Sequence, residues 1–242
     1  MTVRHASGPG AIKVAASMNK DTQARAHNFD LIAFDWDGTL YDSTAVITRC
    51  IQYAVRDVGG TVPSDDAAAY VIGMNLREAL AHAAPDVPPA RYDELARRYQ
   101  EHYRRHHADL ILFAGIPELL HGLRDRGHFL AVATGKSRRG LDEALGHLEL
   151  RDLFHASRTA DETAGKPDPL MLTQLMHQFG VEPERTLMIG DTTHDLLMAR
   201  AAGCASVGVS YGAHGPAGFA ELKPRFIAHT VAELHNWLMS HA

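Results

Sequence analysis

Short apolar runs, each followed by a polar or glycine-containing loop, are the feature that most constrains the fold of this chain. Four such runs occur, at residues 29–35, 129–134, 186–189 and 205–209. Segments with helical character lie between and after them, at residues 117–126, 138–148, 169–179 and 195–202. Buried apolar strands that alternate with helices favour a parallel sheet with helices on both faces. The sequence therefore predicts an α/β fold.

The interval from residue 43 to residue 112 interrupts this alternation. Its alanine-rich and arginine-rich stretches predict helices at residues 45–58, 65–83 and 90–107, and it contains no convincing strand. We therefore expect a helical cap (43–112) inserted into a core formed by residues 28–42 and 113–242. Residues 1–27 mix Gly, Ala and Ser with a few charges and lack the long apolar run of a signal peptide. We expect a disordered tail or an over-extended start upstream of Met18.

Composition excludes several broad classes of function. A net charge of −5 offers no general attraction to nucleic acid or anionic membranes. No apolar run approaches the roughly 20 residues that a membrane-spanning helix needs. Cys50 and Cys204 lie far apart and show no zinc-ligand spacing, which favours a reducing compartment. The arginine-rich stretch 91–107 also contains acids, and a solvated cap helix explains it better than a nucleic-acid surface. We expect a cytoplasmic monomer or homodimer.

Polar residues at the predicted strand ends mark the candidate site. In an open parallel sheet, the crevice forms beyond the carboxyl ends of the strands. Three ends deliver polar residues to it: Asp35 and Asp37, Thr134 and Gly135, and Asp191. Asp195 lies one helical turn beyond Asp191, and Lys166 precedes a helix whose first N–H groups favour an anion. Clustered carboxylates repel unless a cation compensates, and all-oxygen ligation suits magnesium.

Phosphoryl transfer requires acidic residues that bind a metal and, next to them, positively charged groups that bind the phosphate. The spacing of Asp35 and Asp37 follows from such a mechanism. The first acid attacks phosphorus and forms an aspartyl-phosphate. The second reaches the leaving oxygen, donates a proton to it, and later accepts a proton from water. Two residues apart at a strand end, both acids reach one phosphoryl group.

Four stretches, FDWDGTLYDS, VATGK, GKPDP and GDTTHD, occur in the order and spacing of the haloacid dehalogenase superfamily. Residues 29–209 resemble its branch with a helical cap inserted after the first motif, which includes phosphoglycolate phosphatases and β-phosphoglucomutases. The resemblance implies a Rossmann-like core. It also implies a Mg²⁺ site and the following roles: Asp35 as nucleophile and metal ligand; Asp37 as general acid/base and backbone-carbonyl ligand; Asp191 as third protein ligand; Thr134, Gly135 and Lys166 as phosphoryl ligands; Asp195 as orienting group for Lys166 or a metal-bound water.

Hydrolysis of a small phosphorylated metabolite, such as phosphoglycolate, is the favoured function. A phosphomutase with the same core residues stays open, as does a non-catalytic module that binds phosphorylated metabolites. A dehalogenase is disfavoured because it needs no magnesium site, and the acids of this chain form one. A hydrolase that uses a Schiff-base lysine in its cap is disfavoured because no lysine occurs between Lys20 and Lys136. Arg77 and Arg49 in the predicted cap are candidates to meet a substrate carboxylate or phosphate, with solvated helix surface as the alternative.

Overall fold

A computed structural model describes residues 28–106, 110–146 and 151–242. The predicted tail at residues 1–27 lies outside these described residues. So do the predicted helix ends at residue 107 and at residues 147–148. Among the described helices, none combines the length and the apolar character needed to cross a membrane.

A six-stranded parallel sheet confirms the predicted α/β fold, and its strand order is β3-β2-β1-β4-β5-β6. Its strands are β1 (Leu31–Phe34), β2 (Phe129–Thr134), β3 (Ala156–Thr159), β4 (Thr186–Gly190), β5 (Ala205–Val209) and β6 (Phe226–Ala228). The central strand β1 is wholly buried and pairs in parallel with β2 and β4. The carboxyl ends of these three strands therefore meet at one edge of the sheet.

The sequence patterns did not predict β3 and β6. Both are edge strands, and most of their residues are only partly buried. An edge strand has one partner and a half-exposed face, so it does not need the continuous apolar run that identifies a central strand.

Five of the described helices cover the sheet: α5 (Ile116–Asp125), α6 (Arg138–Gly146), α7 (Leu170–Phe179), α8 (Thr193–Ala201) and α9 (Val231–His241). Alternate residues of β1 point to opposite faces, as strand geometry requires. Ile32 and Phe34 pack with the apolar faces of α5, α6 and α9. Leu31 and Ala33 pack with α7 and α8. Both faces of the sheet are thus buried, so a functional site is expected at its edges or in the loops at the ends of its strands.

The segment between β1 and α5 is helical and has an apolar cluster of its own. Its helices are α1 (Thr44–Asp57), α2 (Asp65–Tyr70), α3 (Leu76–Ala83) and α4 (Tyr92–His106). The prediction of one helix over residues 65–83 is wrong. Gly73 adopts φ 91°, and the side chain of Asn75 accepts a hydrogen bond from the Glu78 N–H and so caps a new helix. An antiparallel bridge between Tyr41 and Leu112 joins the two segments that connect this helical unit to the sheet.

Candidate active site

Asp35 follows directly after β1 and is buried at the sheet edge. Its N–H donates to the carbonyl of Ile189 at 2.9 Å, which continues the strand pairing by one residue. The chain then turns tightly through Gly38, whose φ of 78° lies in the left-handed region. A side chain at Gly38 would collide with the carboxylate of Asp191. The turn therefore brings the loop after β1 against the end of β4.

Asp191 is completely buried at the end of β4, and both of its carboxylate oxygens accept hydrogen bonds. The Thr39 hydroxyl donates to Oδ1 at 2.9 Å, and the Ala213 N–H donates to Oδ2 at 2.7 Å. Burial, together with the charges of Asp35 and Asp195, holds the pKa of Asp191 well above its usual range. These contacts fix the carboxylate in one orientation.

Asp195 serves both the start of α8 and the site itself. Its Oδ2 accepts from the N–H and the hydroxyl of Thr192, at 3.1 and 2.7 Å, and so completes a capping box. Its Oδ1 lies 2.6 Å from Nζ of Lys166. Asp195 therefore stabilises the first turn of α8 and also contacts Lys166.

Lys166 is 2% exposed and its ammonium lies between two carboxylates. Nζ is 2.7 Å from Asp35 Oδ1 as well as 2.6 Å from Asp195. Burial acts to lower the pKa of Lys166, but the negative charges of Asp195 and Asp35 outweigh it and raise that pKa. Lys166 therefore stays cationic. Burial raises the pKa of Asp35 to about 7, although the charge of Lys166 opposes this.

The carboxylates of Asp35, Asp191 and Asp195 suit a divalent cation. One oxygen from each lies within 4.8 Å of the others. Asp35 Oδ2 is buried and accepts no hydrogen bond from the described residues. When all three acids are ionised, one lysine leaves an excess of negative charge, which a cation would relieve. The all-oxygen donor set fits Mg²⁺. The side chain of Asp37 is not in this group.

Asp37 instead has both carboxylate oxygens engaged on the cap side of the turn. The hydroxyl of Ser43 donates to Oδ1 at 2.7 Å, and Nζ of Lys136 lies 2.9 Å from Oδ2. Lys136 also donates to the hydroxyl of Tyr103 on α4 at 3.0 Å. The sequence motif contains Lys136, but nothing in the sequence reveals that it joins Asp37 to the cap. Burial acts to lower the pKa of Lys136, and the charge of Asp37 raises it overall.

Thr134 and Gly135 lie at the end of β2, beside the acids. Thr134 is buried, and its hydroxyl accepts from the N–H of Lys136 at 3.2 Å. A Cβ atom at Gly135 would meet the carbonyl oxygens of Gly73 and Met74, the latter at 2.6 Å. Glycine is therefore required here because the cap backbone approaches it closely.

Arg77 and Arg49 do not join the site. Arg77 forms a 2.9 Å ion pair with Asp93, and these side chains are 67% and 92% exposed. Arg49 is exposed on α1. Neither lines the cavity of about 310 Å³ that lies above Asp35 and Asp37.

The chain is similar to known hydrolases and phosphatases. A family model for haloacid dehalogenase-like hydrolases matches residues 32–209. "Probable phosphatase IndB" of Dickeya dadantii (strain 3937) is 36% identical over 84% of this chain and 91% of its own length. "Phosphoglycolate phosphatase" of Vibrio vulnificus (strain CMCP6) is 31% identical over 84% of this chain and 93% of its own length. A crystal structure of a "predicted phosphoglycolate phosphatase" from Haemophilus somnus 129pt superimposes with a TM-score of 0.77 at 26% identity. That match covers 88% of this chain and 99% of the other.

Proposed function

The chain belongs to the haloacid dehalogenase-like hydrolases, and we propose that it hydrolyses a small phosphate monoester through an aspartyl-phosphate on Asp35. The family match confirms the resemblance that the four sequence motifs indicated. The phosphatase class follows from that match and from relatives named as phosphatases. The nucleophile, the metal and the substrate are the new elements of the proposal.

The position of Asp35 is the observation that carries the proposal. Lys166 lies 2.7 Å from Oδ1 of this buried carboxylate, while Oδ2 accepts no hydrogen bond from the described residues. One oxygen is thus held and the other is available to attack phosphorus. Lys166 also supplies a buried positive charge next to the oxygens of the transferring group. The contact with Asp195 keeps the ammonium in that position.

The proposed reaction proceeds in two displacements. Asp35 Oδ2 forms a bond to phosphorus as the bond from phosphorus to the ester oxygen breaks, and Asp37 donates a proton to the departing alcohol. Asp37 then removes a proton from water, which attacks phosphorus and releases phosphate from Asp35. Thr134 and the N–H of Gly135, at the neighbouring strand end, donate to the phosphoryl oxygens in this proposal. Each proton that Asp37 gives is regained in the second step.

Mg²⁺ is the cation that the donor set fits best. Asp35, Asp191 and the backbone carbonyl of Asp37 would hold it, and when bound it supplies positive charge against the phosphoryl oxygens. Removal of divalent ions should therefore abolish turnover.

Hydrolysis is preferred to the two alternatives. A phosphomutase would use the same core residues, but the relatives described above carry phosphatase names. A module that only binds phosphorylated metabolites would need neither a nucleophile nor an acid/base. The pairing of Asp35 with Lys166, its clustering with Asp191, and the presence of Asp37 in the same cavity support hydrolysis instead. The name of the Vibrio vulnificus relative makes phosphoglycolate the first physiological ester to assay.

Asp35→Asn tests the nucleophile. With p-nitrophenyl phosphate and Mg²⁺, we expect the rate to fall by at least about 10⁴-fold, the scale seen when catalytic nucleophiles are removed. Acid-quenched wild-type enzyme should contain phosphate on the peptide with Asp35, detected by mass spectrometry. Asp125→Asn, which changes an exposed acid at the end of α5, is the matched control and should keep full activity. Wild-type turnover that persists in EDTA would contradict the proposed metal requirement. Activity of Asp35→Asn comparable to the wild type would contradict the assignment of Asp35 as nucleophile.

A further inference from the structure

The cavity above the catalytic acids has a charged floor and a largely apolar roof. Asp35, Asp37 and Thr134 contribute to the floor. The roof is formed by cap side chains, including Ile47, Ile51, Met74, Leu76, Leu80 and Tyr99. We call the space between them the cap chamber. A phosphoryl group held at Asp35 would direct the rest of its ester into this chamber.

Two tyrosines give the chamber an aromatic wall. Tyr99 and Tyr103 lie one turn apart on α4, with ring centroids 6.0 Å apart and planes inclined by 23°. Both rings line the chamber and are only partly buried. Flat aromatic surfaces of this kind favour contact with another ring or with aliphatic groups.

Two of the cationic side chains that line the chamber already pair with carboxylates. Lys136 lies 2.9 Å from Asp37, and Arg139 lies 2.8 Å from Glu143 at the outer rim. Arg77 and Arg49, the sequence candidates for a substrate carboxylate, lie outside the chamber. A third cation of the chamber, Arg104 on α4, donates from Nε to the carbonyl of Gln100 at 3.1 Å. A small carboxylate such as that of glycolate would have to compete with these partners for a cation, or enter an apolar space at a cost in solvation.

The size of the chamber points the same way. A volume of about 310 Å³ is close to the lower limit of small-molecule sites. Beyond its phosphate, phosphoglycolate offers one methylene group to the apolar roof and would bury little surface there. A ring-bearing group would bury apolar surface against Leu76, Leu80 and the tyrosines.

We propose that the natural substrate is a phosphate monoester whose alcohol carries an aromatic ring, and that the cap chamber selects it over phosphoglycolate. This rests on the phosphatase function proposed above. Leu76, Tyr99 and Tyr103 are the specificity-determining residues, because they surround the ring while the core residues hold the phosphate.

Benzyl phosphate, ethyl phosphate and phosphoglycolate test the inference, since all three are esters of primary alcohols. Their binding to Asp35→Asn protein in Mg²⁺ is measured by isothermal titration calorimetry. Benzyl phosphate should bind at least about tenfold more tightly than either of the other two, as expected for burial of a ring. The same order is expected in kcat/KM of the wild-type enzyme. Equal or weaker affinity for benzyl phosphate, or no binding of it, would overturn the inference.

The outcomes separate this inference from the proposed function. If phosphoglycolate is the ester that the wild-type enzyme hydrolyses fastest, the phosphatase function is supported and the proposal of an aromatic substrate is overturned. Preferential binding of benzyl phosphate without turnover of any ester supports the chamber and overturns the phosphatase.

Leu76→Gln locates the ring. This substitution puts a polar group into the roof, and it should reduce the affinity ratio of benzyl to ethyl phosphate by about fivefold or more. Leu170→Gln is the control, because Leu170 is 39% exposed at the start of α7 and does not line the chamber. That ratio should stay unchanged in Leu170→Gln. Circular dichroism checks the fold of both proteins, and an unchanged ratio in folded Leu76→Gln would contradict the placement.

Discussion

The core side and the cap side of the site are built from different interactions. On the core side, hydrogen bonds and ion pairs orient the functional groups: Thr39 and Ala213 hold Asp191, and Lys166 joins Asp35 to Asp195. On the cap side, apolar packing dominates. Hydrogen bonds are directional and fix the atoms that react, whereas apolar packing responds to size and shape. Under the proposed function, the core would therefore determine the reaction and the cap the choice of ester.

Polar contacts connect the two sides at only a few points among the described residues. Lys136 bridges Asp37 and Tyr103. On the opposite flank, the Nε2 atoms of His194 and His214 each lie 3.0 Å from the carbonyl oxygen of Tyr70 at the end of α2. Burial lowers the pKa of both histidines, so they serve as neutral donors. These contacts place the cap relative to the acids.

After Asp35→Asn, the substitution Asp37→Asn should give the largest loss of activity, because Asp37 stands where the core meets the cap. The variant loses the group that protonates the leaving alcohol and activates water, and general acid–base catalysis is worth roughly 10²–10⁴-fold. We expect kcat for an alkyl phosphate to fall within that range, measured by phosphate release. Asp42→Asn, an exposed acid in the same loop, is the control and should be unaffected. A variant with near-normal kcat would show that Asp37 is not the acid/base.

Gly135→Ala should break the fit between core and cap. The new Cβ would overlap the carbonyls of Gly73 and Met74, which are backbone atoms and cannot rotate away. The cap loop must shift, and a displacement of about 1 Å at an active site can cost about 10²-fold in rate. Gly122→Ala on α5 meets only ordinary contact with Met239 and should keep its activity. Equal activity of the two variants would show that the close approach is unimportant.

The pH dependence of Mg²⁺ binding tests the electrostatic interactions on the core side. Because burial raises the pKa of Asp35 to about 7, the metal-free protein holds a proton there that the unfolded chain releases near pH 4. This group therefore lowers the stability of the metal-free fold as pH rises from about 4 to 7. A cation must displace the proton, so Mg²⁺ affinity should fall by up to about tenfold per pH unit below 7.

Thermal midpoints recorded across Mg²⁺ titrations at pH 5.5, 6.5 and 7.5 measure this dependence. The increase in the midpoint should require more Mg²⁺ at lower pH. Asp35→Asn, which has no proton to displace at that position, should show a weaker dependence. Equal Mg²⁺ requirements at all three pH values in the wild type would contradict the proposed coupling.

Arg77→Ala should have the smallest effect. The structure pairs Arg77 with Asp93 on the exposed face of the cap, and such surface pairs contribute about 0–1 kcal/mol. We expect kcat/KM for any ester to change by less than twofold, with Arg49→Ala behaving alike. A loss of tenfold or more for phosphoglycolate alone would restore the sequence hypothesis that Arg77 meets a substrate carboxylate.

Local sequence patterns were enough to predict the central strands and their alternation with helices. Residues 31–34, 129–134 and 186–190 form apolar runs because a central parallel strand is buried on both faces. Edge strands β3 and β6 lack that requirement and left no comparable pattern. The break between α2 and α3 was missed because Gly73 stands within a stretch that otherwise has helical character.

The amino-acid sequence by itself determined which acids, which lysine and which strand ends supply the site, since a parallel sheet brings those ends together whatever the rest of the chain does. Only the tertiary structure decided that Lys136 faces Asp37, that Gly135 makes room for the cap, and that Arg77 points away. Those contacts join residues far apart in the chain, and their geometry depends on how two separately packed units meet. No local pattern encodes that orientation.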